Sequence, residues 1–134
     1  MQYNFIPAAL AAAGLSWLTN GFILRLGRGG LVYLAPAAEE VAKTGLALAV
    51  GASVPATHIF FGLLEALWDG AGKKDVPAGA IALLSHTVFG LITFFVLHAT
   101  GAVWPALTFA YLAHVGWNTL VLHLTGRKKG GAGR

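Results

Sequence analysis

The chain has 134 residues, of which 57% are hydrophobic and only 10% are charged, and it contains no cysteine. Soluble domains average about 25% charged residues, so we expect most of this chain to lie in lipid as a single transmembrane domain. The missing cysteine excludes disulfides, cysteine-based metal sites and a thiol nucleophile. The formal charge of +4 predicts no nucleic-acid partner, because the basic residues fall mainly at the ends of apolar segments.

Five segments have the apolar character of membrane-spanning helices, which need about 20 residues to cross a bilayer. They cover about 4–24, 31–52, 55–68, 77–99 and 104–124, and glycine and proline separate them. The third is short, at about 14 residues, so we expect it to tilt, to enter only part of the membrane, or to begin in the preceding turn. The sequence therefore predicts an all-α polytopic membrane protein with about five transmembrane helices.

The two ends of the chain have different expected roles. The first segment carries no charge, lacks the basic start of a signal peptide, and has small residues at Ala8, Ala12 and Ser16. The missing signal-peptide features predict that this helix is retained. The small residues form a stripe that permits close helix packing, which predicts a structural role. The glycine-rich basic sequence at about 126–134 predicts a disordered tail attracted to anionic lipid head groups.

Basic residues occur in alternate connections and predict the orientation. They follow the first, third and fifth segments, at Arg25, Arg28, Lys73, Lys74, Arg127, Lys128, Lys129 and Arg134. The other two connections, GASVP and ATGAVWP, carry no charge. By the positive-inside rule, the N-terminus lies outside the cell membrane and the C-terminus lies in the cytoplasm.

Carboxylates lie inside the second and third segments, where an ionised side chain costs about 2.5–3.5 kcal/mol. Glu39 and Glu40 precede Lys43 by four and three residues, so the lysine can pair with either on one helix face. Glu65 follows Phe61 by four residues in the third segment. Such groups usually mark a polar cavity, although a structural ion pair or a glutamate that snorkels to the interface remains an alternative.

Histidine and asparagine add further polar groups at the same depth. At about 1.5 Å per residue, His86 and His114 lie near the middle of the membrane, and Asn118 lies one turn nearer the cytoplasm. Together with Glu39 and Glu65, they predict one polar layer built from four helices. We interpret the remaining histidines and the tryptophans as interfacial, namely His58, His98, His123, Trp17, Trp68, Trp104 and Trp117.

Four ordered motifs, PAAEEVAK (36–43), FFGLLEA (60–66), SHTVFG (85–90) and AHVGWN (113–118), resemble those of a known superfamily. This is the CAAX-protease and bacteriocin-immunity (CPBP) superfamily of intramembrane proteases. Lysine after the glutamate pair, and glutamate in the second motif, are similar to the PrsW-type branch. The CAAX-processing branch tends to have arginine and histidine there. The resemblance implies a four-helix protease-like core at about 31–124, preceded by one N-terminal helix.

The resemblance implies an intramembrane endopeptidase that cleaves a membrane-tethered protein or peptide. Glu39 or Glu40 would activate water, with its neighbour orienting it and Lys43 balancing their charge. His114 and Asn118 would stabilise the oxyanion. The implied site residues, with Lys43 and Phe61 in support, are Glu39, Glu40, Glu65, His86, His114 and Asn118.

Within that site, His86 would position water or polarise the carbonyl, and Glu65 would position water or substrate. A zinc-dependent mechanism is the alternative chemistry, with Glu39, Glu65, His86 and His114 as ligands. A metal-free mechanism is slightly favoured.

Other functions remain open for the same residues. A non-catalytic scaffold or immunity protein would use the same fold with a partner membrane subunit. A small ion transporter would use the same glutamates and histidines as an ion path. At this length a transporter would need to form a homo-oligomer, and no internal repeat is evident in the sequence.

Overall fold

The computed structural model describes residues 4–72 and 76–130, with side chains described for 4–68 and 77–124. Within these residues the chain is helical and has no strand, which confirms the predicted all-α class. The helices are α1 (Phe5–Ile23), α2 (Ala35–Ala49), α3 (Val54–Gly72), α4 (Val76–Thr100) and α5 (Val103–Gly130). Lys73, Lys74, Arg134 and the side chains of Arg127, Lys128 and Lys129, used in the predicted orientation, lie outside the described residues.

The first two helices form an antiparallel hairpin joined by short helical turns at 24–34. Gly27 has a φ of +72°, which an L-residue with a side chain rarely adopts. Gly30 packs directly on the carbonyl of Ile23, where a Cβ atom would collide with the backbone. At the far end, Asn4 Nδ2 donates to the Val50 carbonyl at 3.0 Å, so the start of α1 meets the end of α2.

The closest helix pair is α3 with α4, which also run antiparallel. Gly62 on α3 faces His86 on α4, and Gly90 on α4 faces His58 on α3. A Cβ atom built on either glycine would lie 2.9 Å or 2.6 Å from the Cβ of the opposite histidine. The absence of a side chain at both positions is therefore what lets the two backbones approach.

The remaining packing places polar groups inside the bundle and apolar groups outside. Helix α5 packs against α4 and α2, and α1 packs against α2 and α3. The largest fully buried side chains are Lys43, His58, Glu40, Thr44, Thr57, Thr93 and Pro36. The exposed surface instead carries large apolar side chains, among them Trp104 at 78% and Phe22 at 69% exposed. Lysine and glutamate are almost never fully buried in a soluble domain unless paired, and so many exposed large apolar side chains are unusual there.

Two helical stretches, Phe5–Ala49 and Pro77–Thr100, are long and apolar enough to cross a membrane. The first of these is the α1–α2 hairpin, which folds back on itself. The apolar part of the third helix, Val54–Trp68, is short as predicted, although α3 as a whole extends from Val54 to Gly72. It begins within the predicted GASVP turn and continues past Gly70. Helix α5 extends to Gly130, so 126–130 are helical where the sequence predicted a disordered tail.

The close approach of α3 and α4 yields the first prediction. We expect Gly90→Ala to destabilise the protein by about 1–3 kcal/mol, because the added methyl overpacks against His58. The measurement is the free energy of unfolding in detergent micelles. Gly116→Ala is the matched control, since a Cβ atom there meets nothing within 4 Å. Equal stability of the two variants would contradict the close packing.

Candidate functional site

Lys43 lies at the centre of a buried polar network and is fully enclosed. Its Nζ is 2.6 Å from Glu40 Oε1 and 2.9 Å from His86 Nδ1, and it lies 4.8 Å from the centre of the Phe61 ring. Because a lysine ammonium has only donors, His86 Nδ1 must accept, and the histidine proton is assigned to Nε2. One cation thus links a carboxylate on its own helix to an imidazole on α4.

The network continues from His86 to the third helix. His86 Nε2 donates to Glu65 Oε2 at 2.5 Å, so its second nitrogen is also occupied. The imidazole ring lies edge-on between Phe61 and Phe89, at centroid distances of 5.0 Å and 5.8 Å. Aromatic contacts and hydrogen bonds at both nitrogens therefore hold His86 in one orientation.

His114 joins the network from α5. Its Nδ1 donates to Glu40 Oε1 at 2.9 Å, and its ring stacks on Phe89 at 4.5 Å. In the neutral ring, Nε2 then carries the lone pair, and it lies 3.9 Å from Glu39 Oε2. Glu40 therefore accepts hydrogen bonds from both Lys43 and His114, and it connects α2 to α5 within the network.

Glu39 has a different environment from its neighbour. Its Oε1 accepts a hydrogen bond of 2.9 Å from Asn20 Nδ2 on α1. It lines a cavity of about 970 Å³, whereas Glu40 does not. The sequence left open which of the two glutamates would be the base, and the geometry distinguishes them: Glu39 lines the cavity and Glu40 does not.

The cavity is bounded by α1, α2, α3 and α5 and is mainly apolar. Its polar lining residues are Ser16, Asn20, Glu39, Glu65, His114 and Asn118. Trp17 and Trp68, both 65% exposed, also line it. A second cavity of about 650 Å³ shares Glu65, His114 and Asn118 with the first.

Most of the sequence-predicted site residues meet in this network. Glu39, Glu40, Glu65, His86 and His114 come together, with Lys43 and Phe61 beside them. Asn118 lines both cavities, but its Nδ2 donates to the Leu31 carbonyl at 3.3 Å. It thus also connects α5 to the turn before α2, a contact that spacing alone does not reveal.

His58 was missed by the sequence analysis, and its interfacial assignment is wrong. It is fully buried, with Nε2 3.2 Å from Thr44 Oγ1 and Nδ1 3.8 Å from Glu40 Oε2. A signal was present in the pattern His-x-x-Phe-Gly, which occurs as HIFFG at 58–62 and as HTVFG at 86–90. Each of these two histidines packs over the glycine of the other five-residue pattern.

The first helix also contributes more than the predicted structural role. Ala8, Ala12 and Ser16 are buried, as a packing stripe requires. One turn further on, Asn20 reaches Glu39, so α1 is part of the site. No motif in the sequence marks this asparagine. His98 and His123, by contrast, are exposed.

A metal site does not form from the predicted ligands in the described part of the chain. Among the side chains described, at 4–68 and 77–124, no three histidine or acidic groups are arranged to hold an ion. Both nitrogens of His86 are occupied by Lys43 and Glu65. The proposed zinc ligands therefore do not fit together here, and we derive no step through a metal.

Comparisons with known proteins identify no relative of this chain. No protein-family model matches the chain, and no curated protein or solved structure is significantly similar to it.

The buried ion pair yields the second prediction. We expect Lys43→Met to destabilise the protein by about 3–5 kcal/mol, because it leaves the Glu40 carboxylate buried without its cation. The free energy of unfolding in detergent measures this loss. The double variant Lys43→Met with Glu40→Gln should regain most of the stability, since neither charge remains. A single variant as stable as the wild type would contradict the network.

The third prediction concerns His58. We expect His58→Ala to cost about 2–4 kcal/mol, because it opens a cavity under Gly90 and removes the contact with Thr44. His98→Ala is the control, since His98 is also on a helix but exposed. Thermal unfolding of both variants in nanodiscs tests the difference. Similar losses for the two would support the interfacial assignment instead.

Proposed function

We propose that this chain is a multi-pass membrane protein in which each of the five helices crosses the bilayer. The apolar exterior and polar interior support this proposal, because lipid rather than water suits such a surface. Only 22% and 28% of the most apolar windows of the two long helical stretches are buried, unlike the core helices of soluble proteins. The loop charges favour an external N-terminus and a cytoplasmic C-terminus.

We further propose that the protein is an intramembrane endopeptidase of the PrsW type within the CPBP superfamily. The observation that carries this proposal is the convergence of all four motifs on one buried network beside a cavity. Three of those motifs supply Glu40, His86 and His114 to the network, and Glu65 of the second motif completes it. A membrane-tethered peptide is the proposed substrate.

In the proposed mechanism, Glu39 is the general base. A water molecule that bridges Glu39 Oε2 and His114 Nε2, which lie 3.9 Å apart, would attack the carbonyl carbon of the scissile peptide. Its proton passes to Glu39 and then to the leaving amine as the C–N bond breaks. Glu40 remains hydrogen-bonded to Lys43 and His114 and holds the imidazole in place.

Asn118 is the proposed oxyanion donor. An amide group has two N–H donors, and one of them is used by the Leu31 carbonyl. The second is available to the oxygen of the tetrahedral intermediate, as the resemblance implies. Removing one such donor typically costs about 10²–10³ in kcat.

A non-catalytic scaffold is the second candidate function. The observation that favours it is the internal pairing of Glu40, Lys43, His86 and Glu65, which suits a purely structural core as well as a catalytic one. Such a protein would bind a membrane partner without cleaving it.

The fourth prediction separates these two candidates. Purified protein in liposomes should cleave a membrane-tethered reporter peptide, and Glu39→Gln should reduce kcat by about 10²–10⁴-fold. Glutamine retains an oxygen that can accept from Asn20, so the fold should be unchanged, as thermal unfolding would verify. Thr19→Ala is the activity control, because the Thr19 hydroxyl bonds within its own helix. Cleavage that persists in Glu39→Gln would refute the mechanism, and no cleavage by the wild type would favour the scaffold.

A further inference from the structure

Helix α1 carries two buried, unpaired polar atoms on residues that line the larger cavity. Ser16 and Asn20 lie one turn apart, and both line it. Ser16 is 3% exposed, and its Oγ has no hydrogen-bond partner among the described residues. The same is true of Asn20 Oδ1. A buried polar atom left unpaired costs about 1–3 kcal/mol, so two of them on one face call for a ligand.

The unpaired hydroxyl of Ser16 is unusual within this protein. Three other buried hydroxyls bond to a carbonyl three or four residues earlier, namely Thr57 to Ser53, Ser85 to Ala82, and Thr93 to Phe89. A fourth, that of Thr44, contacts His58. Thr19, in the same turn as Ser16, does likewise with Leu15. The Ser16 hydroxyl, by contrast, has no partner among the described residues.

The hydrogen bond that Asn20 Nδ2 makes determines the orientation of the Asn20 amide group. Since Nδ2 donates to Glu39 Oε1 at 2.9 Å, Oδ1 is assigned as the free acceptor. The site therefore offers an acceptor next to the proposed base, and a hydroxyl one turn away. No lysine or arginine lines this cavity within the described part of the chain, so it has no cation to attract an anionic ligand.

We propose that Ser16 and Asn20 form a subsite that binds main-chain N–H groups of an extended peptide lying along α1. Positions four apart on a helix are separated by about 6.0 Å along the axis. Alternate residues of an extended peptide, whose N–H groups point to the same side, are about 6.6–6.8 Å apart. The two spacings agree closely enough for both side chains to engage one strand.

The walls of the cavity indicate the side chains of that peptide. Leu10, Trp17, Leu64 and Trp68 line it, so apolar residues suit it best. This inference rests on the proposed endopeptidase function and names the part of the site that holds the substrate backbone. It also gives α1, which the four-motif core does not include, a direct role in binding.

The test uses a defined probe, the blocked tripeptide acetyl-Leu-Leu-Leu-amide, with the full-length protein in lipid nanodiscs. Binding is followed through the side-chain amide resonance of Asn20. We expect Ser16→Ala to weaken binding about 5–10-fold, the effect of one lost hydrogen bond. Thr19→Ala should leave it unchanged. The tripeptide with N-methylated main-chain amides should bind more weakly to the wild type, and equally to the wild type and Ser16→Ala.

Three results of the binding experiment would overturn the subsite. They are no detectable binding of the tripeptide, equal affinity of the wild type for the tripeptide and its N-methylated form, and an affinity unaffected by Ser16→Ala. The last result would mean that the Ser16 hydroxyl bonds only to water. Cleavage of the liposome reporter is measured separately, and there Ser16→Ala should raise KM with kcat unchanged. Ser16-dependent binding without any cleavage would refute the endopeptidase and leave the subsite standing. Cleavage with a KM that Ser16→Ala leaves unaltered would refute the subsite and leave the endopeptidase standing.

Discussion

The buried contact between Lys43 and Glu40 is the interaction on which the rest of the site depends. Neither charge is tolerable alone in an apolar interior, so each requires the other and further hydrogen bonds. His86 and His114 supply those bonds from α4 and α5, and the pair thereby fixes the relative positions of three helices. Both Lys43 and His114 bond to Glu40 Oε1, and Glu40 does not line the cavity, whereas Glu39 and Glu65 do.

The bundle is held together by polar contacts and close backbone approach more than by large apolar side chains. Most of its buried hydrophobic residues are alanines, whereas leucine and phenylalanine often face outward. In lipid, burying an apolar side chain brings little gain, and small residues and hydrogen bonds between helices contribute instead. The candidate site is therefore continuous with the core, and a substitution that affects one affects the other.

Much of this arrangement could be predicted from the sequence, because helix length and charge spacing are local properties. The helix positions and the meeting of Glu39, Glu65, His86 and His114 follow from periodicity and depth. The roles of His58 and Asn20 could not be predicted in this way. His58 lies near the start of a helix, which suggests the interface, and only its packing against Gly90 on another helix shows that it is buried. The contact of Asn20 with Glu39 depends on how closely the turn at Gly27 brings α1 to α2.

The reciprocal packing of His58 over Gly90 and His86 over Gly62 has a consequence for motion. A slide of α3 along α4 by one helical turn, about 5.4 Å, would lift each imidazole out of its recess and into a bulkier neighbour. We therefore expect α3 and α4 to move as one unit. For the proposed membrane-tethered substrate, an opening would then require another helix to move against this pair. Movement of α1 or α5 would break the hydrogen bond that Asn20 or Asn118 makes to a neighbouring segment.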